Sequence, residues 1–440
     1  MSTPHALPAA PAAESAAYLL AKRLLDFATA LLLLVAVAPA AVLLLPWCAA
    51  AARVRIRTGE FAGRGGRPMR LHALELAPSL AGMFGRVLAL VEHLPRLLAL
   101  LDGRLSLVGP APVPPEAAGA FGGLNHPRFS VAPGIVCLWW LRRRGNIDYG
   151  SEAEADLEYL AQRSLRADFA ILARALVALA YGPRASRWEA VHFISGIRLL
   201  NLSMDNLLDA IASALHRRCA TRIAFVNPDC VNIAARDGLY RQTLDGFDWV
   251  CADGIGMKIA GSLLGRPVRQ NLNGTDLFPR LCAALAASGR SLYLLGARPG
   301  VAESVAQWAV AHHPRLRIAG TSSGYFSPHE EPALLQQIRA AGADVLLVAL
   351  GAPRQELWLA RNLEASGATV GMGVGGLFDF YSGRIPRAPL WLREIGGEWI
   401  YRLLQEPGRM WRRYLVGNWV FLFRIVVEKL SGTRLKGPVK

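Results

Sequence analysis

The residues best suited to chemistry lie between positions 249 and 278. A short apolar run at 249–252 has the composition of a buried strand, and Asp253 and Gly254 follow it directly. A carboxylate at the end of a strand, beside a glycine that lets a ligand approach the backbone, indicates a reaction site. The alternative is that Asp253 only caps the helix that begins after Gly254, because Asp is a preferred capping residue. A second polar cluster, at 271–276, follows that helix.

The elements that must hold these residues form a regular series after residue 193. Apolar runs occur at 222–227, 249–252, 291–296, 316–320, 344–351 and 368–373. Segments whose apolar residues recur with the period of an α-helix lie between them, at about 231–244, 255–264, 276–288, 300–312, 330–341 and 354–366. Strands that alternate with helices predict an α/β fold, with a Rossmann-like parallel sheet and helices on both faces.

In such a fold, ligands bind beyond the carboxyl ends of the strands. Several predicted strands end in polar or glycine-rich residues, at 227–229, 253–254, 296–298, 324–326, 351–356 and 373–376. One edge of the sheet is therefore expected to gather residues from distant parts of the chain. This convergence favours a functional role for Asp253 over the capping role.

A glycine pattern at 371–376 satisfies G-x-G-x-x-G after a predicted strand. A dinucleotide site also needs an acid at the end of a second strand, about 20 residues further on. Glu394 and Glu398 lie at that distance, but in a Trp- and Arg-rich helical region. We favour a glycine loop whose amides approach the diphosphate of a nucleotide sugar, with an NAD site as the alternative.

Composition narrows the class of partner. The 440 residues carry a formal net charge of +16, and 53% of them are hydrophobic. Such a positive charge implies nucleic acid, anionic lipid or a phosphorylated substrate. Nucleic acid is disfavoured, because no nucleic-acid-binding signature occurs and the arginines cluster beside apolar and Trp-rich segments. The 6 scattered cysteines lack C-x-x-C spacing, which predicts free thiols and no zinc site.

The N-terminal part is predicted to associate with a membrane. Residues 1–17 have the composition of a disordered tail, and an uncharged stretch follows at 27–52. Because Pro39 and Pro46 bend a helix, a re-entrant helix over 24–52 and a straight span are both open, and a buried core helix is a third alternative. We divide the chain into a mainly α domain at 18–180, a linker at 181–192, the α/β domain at 193–390 and an appendage at 391–440.

The appendage mixes arginines with tryptophans and ends in an aromatic, apolar helix at 414–430. This composition is typical of a helix that lies in the membrane interface. The alternative is a terminal helix that packs on its own domain.

The N-terminal domain is similar to the bacterial sugar transferase family over about residues 20–178. The matching motifs are Lys22-Arg23-x-x-Asp26, Leu94-Pro95, Ser106-Leu107-Val108-Gly109-Pro110, Pro133-Gly134-Ile135 and Asp156-x-x-Tyr159. The resemblance implies a re-entrant membrane helix and transfer of a sugar phosphate onto polyprenyl phosphate. Glu92-His93 stands where the family has an Asp-Glu dyad, and Ala111 replaces an arginine that binds phosphate. We predict an inactive scaffold, with a divergent active transferase that uses Glu92 as the alternative.

Residues 195–415 resemble the WecG/TagA/CpsF family, which is glycosyltransferase family 26. The matching residues include Asn227, Asp253-Gly254, Gly274-x-Asp276, Gly324-Tyr325-Phe326, Gly351-x-Pro353-x-Gln355-Glu356, Gly373-x-Gly375-Gly376-x-x-Asp379, Arg387-Ala388-Pro389, Glu398-Trp399-x-Tyr401-Arg402 and Pro407-x-Arg409. The resemblance implies an inverting, metal-independent enzyme without a cofactor. It moves a sugar, such as N-acetylmannosamine, from UDP to a polyprenyl-diphosphate-linked sugar.

Carried onto this sequence, the resemblance makes Asp253 the general base. The implied substrate-binding residues are Asn227, Asn273, Thr275, Asp276, Tyr325, Gln355, Glu356, Gly375, Asp379, Arg387, Arg402, Arg409 and Arg412. The last three are the arginines that would close over the diphosphate. Alternatives are a helix cap for Asp276, core packing for Tyr325, a turn position for Asp379 and solvated arginines.

We therefore predict a UDP-sugar-dependent glycosyltransferase on the cytoplasmic face of the bacterial inner membrane. Its expected partners are the UDP-sugar donor, a polyprenyl-diphosphate-linked acceptor and membrane lipid, in exopolysaccharide, capsule or related glycan synthesis. Phe225 and Asn271 replace a Thr and an Arg of the family, so the donor sugar stays open. A homo-oligomer, a bifunctional enzyme and a non-catalytic scaffold of a glycan assembly complex stay open as well.

Overall fold

The computed structural model describes residues 16–50, 54–76, 91–145, 150–181 and 189–431. The chain divides into two compact units, residues 1–180 and 181–440. Nearly all of the predicted N-terminal tail lies outside the described residues, as do residues 182–188 of the predicted linker.

The first unit begins with one long helix, α1 (Ala16–Ala50). The elements that follow it are β1 (Val54–Ala62), β2 (Pro68–Leu76), α2 (Leu94–Leu101), β3 (Ser106–Val108), β4 (Gly134–Val136), α3 (Leu138–Gly145), α4 (Glu152–Gln162) and α5 (Leu165–Tyr181). β1 and β2 form an antiparallel hairpin, whereas β3 and β4 pair in parallel.

α1 includes a stretch, Ala16–Leu43, that is long and apolar enough to cross a membrane, with a mean hydropathy of 2.2. Only 22% of the apolar window is buried inside the protein, which is less than a core helix requires. The helix continues through Pro39 and Pro46 without dividing in two. A continuous helix fits both a straight span and a bent, re-entrant helix, so both stay predictions.

Motif residues of the first unit hold α1 to its core. The Lys22 ammonium donates to Asp168 at 2.7 Å and to the Val108 carbonyl at 3.0 Å. One carboxylate oxygen of Asp26 accepts from the Ser106 hydroxyl at 2.8 Å. Because these buried groups are mutually paired, they stabilise the packing of α1 against β3.

The second unit is built on one sheet. Its strands are β5 (Val191–Ile194), β6 (Ile197–Leu200), β7 (Thr221–Val226), β8 (Trp249–Ala252), β9 (Ser291–Gly296), β10 (Arg317–Ser322), β11 (Val345–Ala349) and β12 (Val370–Gly373). Their order is β10-β9-β11-β12-β7-β8-β6-β5, and only the β5–β6 pair is antiparallel. All six predicted strands are confirmed, with ends that differ by at most two residues.

Helices cover both faces of this sheet, as predicted. They are α6 (Met204–Arg217), α7 (Pro228–Ala234), α8 (Gly238–Asp245), α9 (Ile255–Leu263), α10 (Gly274–Ser288), α11 (Val301–His312), α12 (Glu331–Ala341), α13 (Arg354–Ser366) and α14 (Leu377–Tyr381). Alternate side chains of β7 enter separate cores. Ala224 and Val226 pack with α7, α8, α9, α12 and α13, whereas Ile223 and Phe225 pack with α6, α10, α11 and α14.

The helix predicted at 231–244 is two helices. Asn227 caps the first, α7, with Pro228 as its opening residue. Asp237 caps the second, α8, and its carboxylate accepts from the Tyr240 amide at 3.0 Å. The Asp237 side chain forms a hydrogen bond with the backbone at the start of α8, so the chain begins a new helix there and does not continue α7.

The appendage consists of short helices and one longer one. These are α15 (Leu390–Glu394), α16 (Glu398–Gln405), α17 (Pro407–Trp411), a π-helical turn (Arg412–Val416) and α18 (Gly417–Ser431). Phe421 and Ile425 of α18 join the core beside α7 and α9.

Candidate active site

Asn227 and Asp253 follow neighbouring strands, β7 and β8, which pair in parallel. The Asp253 amide extends this ladder, because it donates to the Val226 carbonyl at 2.8 Å. The Asn227 side chain accepts from the Asp229 and Cys230 amides at 3.1 and 3.2 Å, and it also hydrogen-bonds the Asp253 carboxyl. One side chain therefore caps α7 and fixes the carboxyl of the next strand.

The environment of Asp253 suits a base at neutral pH. Burial raises the pKa of Asp253 to about 7, against the opposing charge of Arg413 and with further elevation from Glu398. The residue as a whole keeps partial exposure. The cap position of α9 belongs to Gly254, whose φ is 88°. Asp253 is therefore not the capping residue of that helix.

The stretch at 271–276 is tied to the same loop. Asn271, in place of the family's arginine, accepts from the Gly254 amide at 2.5 Å, so it fixes the turn after Asp253. Asn273 caps α10 by accepting from the Asp276 amide at 2.7 Å, and its amide group donates to the Asp276 carboxylate at 2.7 Å. The Thr275 carbonyl accepts a hydrogen bond from a tyrosine hydroxyl of α14.

Asp276 forms an ion pair in addition to its contacts at the start of α10. Its other carboxylate oxygen lies 2.5 Å from Arg387, and Arg387 also contacts Glu398 at 3.3 Å. Asp276 and Glu398 both raise the pKa of Asp253, so their charges act on the candidate base. Arg387 therefore holds together two acids whose charges act on Asp253.

Gln355 and Glu356 lie beneath the edge of the sheet, at 4% and 0% exposure. Gln355 donates to Glu356 at 2.7 Å and accepts from the Gly375 amide at 2.9 Å. The Gly375 amide, which was expected to approach a diphosphate, is thus already bonded within the protein. These contacts make Gln355 and Glu356 supports of the glycine segment.

Close packing accounts for most of the glycines in the 371–376 pattern. Gly371 and Gly373 lie inside β12. A Cβ at Gly371 would stand 2.7 Å from Leu359, and one at Gly376 would stand 2.8 Å from the Arg402 guanidinium. Close packing therefore explains these glycines without a dinucleotide.

Asp379 lies in a cluster of arginines. It accepts from Arg402 at 3.0 Å and contacts Arg384 at 3.2 Å and Arg409 at 3.9 Å. Glu406 contacts the same three arginines, at 3.0 to 3.5 Å. Arg402 is buried against Gly376, whereas the Arg409 side chain is 60% exposed. Arg409 is therefore the member of this cluster most accessible to a ligand.

Arg412 and Arg413 take different positions. Arg412 is exposed, and its guanidinium lies 5.3 Å from the centre of the Trp411 ring. Arg413 turns toward α7, where its Nε lies 3.3 Å from the Asp229 carboxylate. The resemblance selected Arg412 for the site, but neither Arg413 nor Asp229. Nothing in the sequence distinguishes the roles of two adjacent arginines.

Tyr325 is not brought together with Asp253. It follows β10 at the edge of the sheet, five strands from β8, and it is 69% exposed. At about 4.8 Å per strand, the two strand ends are separated by roughly 24 Å.

In the first unit, Glu92 is partly buried and the exposed His93 precedes α2.

Comparison with known proteins agrees with both resemblances. Residues 192–435, more than half of the chain, match the glycosyl transferase WecG/TagA/CpsF family, and residues 80–182 match the bacterial sugar transferase family. An N-acetylglucosaminyldiphosphoundecaprenol N-acetyl-beta-D-mannosaminyltransferase of Bacillus subtilis is 30% identical over 228 residues, which are 52% of this chain and 87% of that protein. A protein of the same name from Bacillus spizizenii is 33% identical over 193 residues, or 44% and 74% of the two chains. The chain therefore belongs to the WecG/TagA/CpsF family of glycosyltransferases.

Proposed function

We propose that the second unit transfers N-acetylmannosamine, or a related sugar, from UDP to a polyprenyl-diphosphate-linked sugar with inversion. The observation that carries this proposal is the Asp253 carboxyl, held by Asn227 at adjacent strand ends with a pKa of about 7. Its relatives bear the name of a transferase with a lipid-linked acceptor and an N-acetylmannosaminyl product.

In the proposed reaction, Asp253 takes the proton of the acceptor hydroxyl. The hydroxyl oxygen attacks the anomeric carbon from the side opposite UDP, and the bond from that carbon to the diphosphate breaks. One carboxylate is sufficient for this proton transfer, which typically contributes about 10²–10⁴-fold to the rate.

Charge that develops on the leaving UDP needs stabilisation. The exposed arginines Arg409 and Arg412 support a metal-independent route, because both guanidinium groups remain accessible in the appendage. Arg402 stays buried between Asp379 and Gly376, so we assign it to support of the site. Activity that persists in excess EDTA, and falls when Arg409 is replaced, is the expected result.

We propose that α18 contacts the cytoplasmic membrane surface. Its inner face is buried through Phe421 and Ile425. Its outer face and the preceding turn expose apolar side chains at Leu415, Val416, Trp419, Phe423, Val426, Val427 and Leu430. The helix therefore packs on its own domain and still presents an apolar surface, which would bring the site to an acceptor whose lipid tail lies in the bilayer.

The first unit is proposed to be an inactive scaffold. Glu92 has a longer side chain than the aspartate that the resemblance implies, and Ala111 lacks the guanidinium of the arginine it replaces. If Glu92→Ala abolishes sugar-phosphate transfer to polyprenyl phosphate, the chain is instead bifunctional.

The direct test supplies a panel of UDP-sugars with a short-chain polyprenyl-diphosphate N-acetylglucosamine acceptor, and detects products by mass. One UDP-sugar is expected to extend the acceptor, and Asp253→Asn is expected to remove most of that activity. Thermal stabilisation by NAD but not by UDP would favour the dinucleotide alternative. Absence of any transfer with a correctly folded protein would favour the scaffold alternative.

A further inference from the structure

We propose that a cavity beside the turn between β1 and β2, in the first unit, binds a phosphate-bearing group with more than one negative charge. The headgroup of an anionic lipid and a soluble diphosphate both offer this chemistry. The proposed sugar transfer takes place in the second unit, so this inference stands or falls independently of that reaction.

The cavity is lined mainly by positive charge. Its volume is about 620 Å³, and ligand-binding clefts typically have volumes of about 300–1,000 Å³. Four arginines line it, against the single carboxylate of Glu60. They are Arg64, Arg67, Arg70 and Arg104, and we call this site the arginine cavity. Because like charges repel one another, such a cluster favours occupation by an anion.

A tight turn places Arg64 and Arg67 at the same end of the hairpin. Gly65 and Gly66 between them have φ values of 69° and 70°, a left-handed conformation that glycine adopts without strain. The Gly63 amide closes the turn by donating to the Arg67 carbonyl at 2.8 Å. In the part of the chain that the structure describes, neither arginine has an ion pair or a side-chain hydrogen bond. Both guanidinium groups are therefore available to a ligand.

The turn is held against the body of the first unit. Ala62 directly precedes it, and its amide donates to the Val113 carbonyl at 2.9 Å. The Ala62 side chain is buried in a small core with Ala118 and Phe129. A turn that is already positioned loses less conformational freedom when a ligand binds.

The other two arginines form a wall that protein contacts fix. Arg104 donates to the Asp102 carboxylate and to the Arg70 carbonyl, each at 2.7 Å. Arg70 itself lies 3.2 Å from Glu60. Because each of these arginines has an acidic partner, the uncompensated charge of the cavity belongs to Arg64 and Arg67.

This charge suits a phosphate. Guanidinium N–H groups match the spacing of phosphate oxygens and form short, charge-assisted hydrogen bonds with them. Two uncompensated arginines are balanced by two negative charges, which a diphosphate or a lipid with two phosphates supplies. Glu92, His93 and Ala111, at the catalytic positions of the bacterial sugar transferases, do not line the cavity. The arginine cavity is therefore separate from the place where sugar-phosphate transfer would occur.

The arginine cavity lies near the residue that precedes the apolar stretch of α1. Gly103 lines the cavity, and a Cβ at this position would stand 3.1 Å from the Cζ of Arg23. Leu24, Phe27 and Leu31 follow Arg23 along α1, and all three are exposed. If this stretch enters a bilayer as predicted, the cavity lies near the level of the lipid headgroups. Basic pockets beside membrane helices bind anionic headgroups at that level.

The experiment uses the full chain in a neutral detergent at low ionic strength. Calorimetric titration measures the binding of inorganic diphosphate, and native mass spectrometry measures retention of cardiolipin relative to phosphatidylcholine. The test variant is the double substitution Arg64→Gln, Arg67→Gln. One basic side chain near an anionic group changes affinity by about fivefold, so this variant is expected to bind at least one probe about 25-fold more weakly.

The matched control is the double substitution Arg55→Gln, Arg57→Gln. It removes the same charge from exposed positions of the same hairpin, outside the cavity, and is expected to change affinity less than threefold. Lysine at positions 64 and 67 is expected to retain most of the binding, because it keeps the charge. Melting curves check folding, and Arg67→Gln alone carries the test if the double variant does not fold.

The two probes distinguish the sources of the ligand. Selective loss of cardiolipin assigns the cavity to a lipid headgroup, and selective loss of diphosphate assigns it to a soluble ligand. Phosphate sites of the second unit are present in every variant, so they contribute equally. Equal weakening by both double substitutions would overturn the proposal, because it would show only a general effect of charge. Unchanged binding of both probes in the test variant would overturn it as well.

Discussion

Asp253→Asn is expected to make the protein more stable at pH 8 while it removes activity. The substitution keeps the shape of the side chain and removes its charge. A carboxylate that served only structure would give the opposite result, because its loss would weaken the fold. Stability and activity measured on one variant therefore separate a functional carboxyl from a structural one.

The sign of this change in stability follows from proton binding by Asp253 in the folded and unfolded chain. The pKa of Asp253 rises from 3.8 to about 7 in the folded protein, mainly through burial. As pH increases from 4 to 7, the unfolded chain releases this proton while the folded chain retains it. Wild type therefore loses stability across that interval and remains less stable above it. Asparagine avoids this loss.

The gain in the free energy of unfolding has an upper bound of about 4 kcal/mol. The pKa of Asp253 differs by about 3 units between the folded and the unfolded chain, and each unit corresponds to about 1.36 kcal/mol. Partial exposure of the residue reduces this gain, so we expect about 1–3 kcal/mol at pH 8 and none at pH 4. Urea unfolding at both pH values, followed by tryptophan fluorescence, measures the difference.

Asp344→Asn provides a control of opposite sign. Burial acts to raise the pKa of Asp344, but hydrogen bonds from Ser291 and Arg290 outweigh it, so this pKa is lowered. Its substitution is expected to reduce stability at pH 8 and to have less effect at pH 4. If Asp253→Asn also destabilises the protein at pH 8, the carboxyl is structural and the reasoning about its burial is wrong.

Two further substitutions test supports of the site, and a third tests the proposed membrane contact. Gln355→Leu leaves the Gly375 amide without its bond and is expected to cost about 2–3 kcal/mol in urea unfolding. Arg402→Ala removes a buried partner of Asp379 and is expected to cost about 3 kcal/mol and to raise KM for the donor, as measured by unfolding and by initial rates. Trp419→Glu is expected to reduce flotation with anionic vesicles several-fold without loss of folding, because this side chain is 74% exposed.

The sequence predicted the sheet because its strands are buried on both faces and therefore form nearly continuous apolar runs. The edge pair β5 and β6 escaped prediction. Each has only four residues, at the less covered end of the sheet, where exposed positions such as Arg198 interrupt the apolar pattern. The helix break at Asp237 also escaped, because both halves keep the helical period.

The candidate site was predictable where it depends on strand ends. Asp253 and Asn227 follow apolar runs, so the parallel sheet alone brings them to one edge. Contacts that depend on a particular turn were not predictable. Gly375 fits an anion-binding loop by pattern, yet its amide donates a hydrogen bond to Gln355 of α13. Arg413 depends on a π-helical turn for which the sequence has no recognised signal.

The charges around Asp253 include two from the appendage, Glu398 and Arg413, which act on the pKa of Asp253 in opposite directions. Arg413 belongs to the π-helical turn that leads directly into α18. If α18 contacts the membrane as proposed, the segment that approaches the acceptor is therefore continuous with the segment that sets the charge near the candidate base.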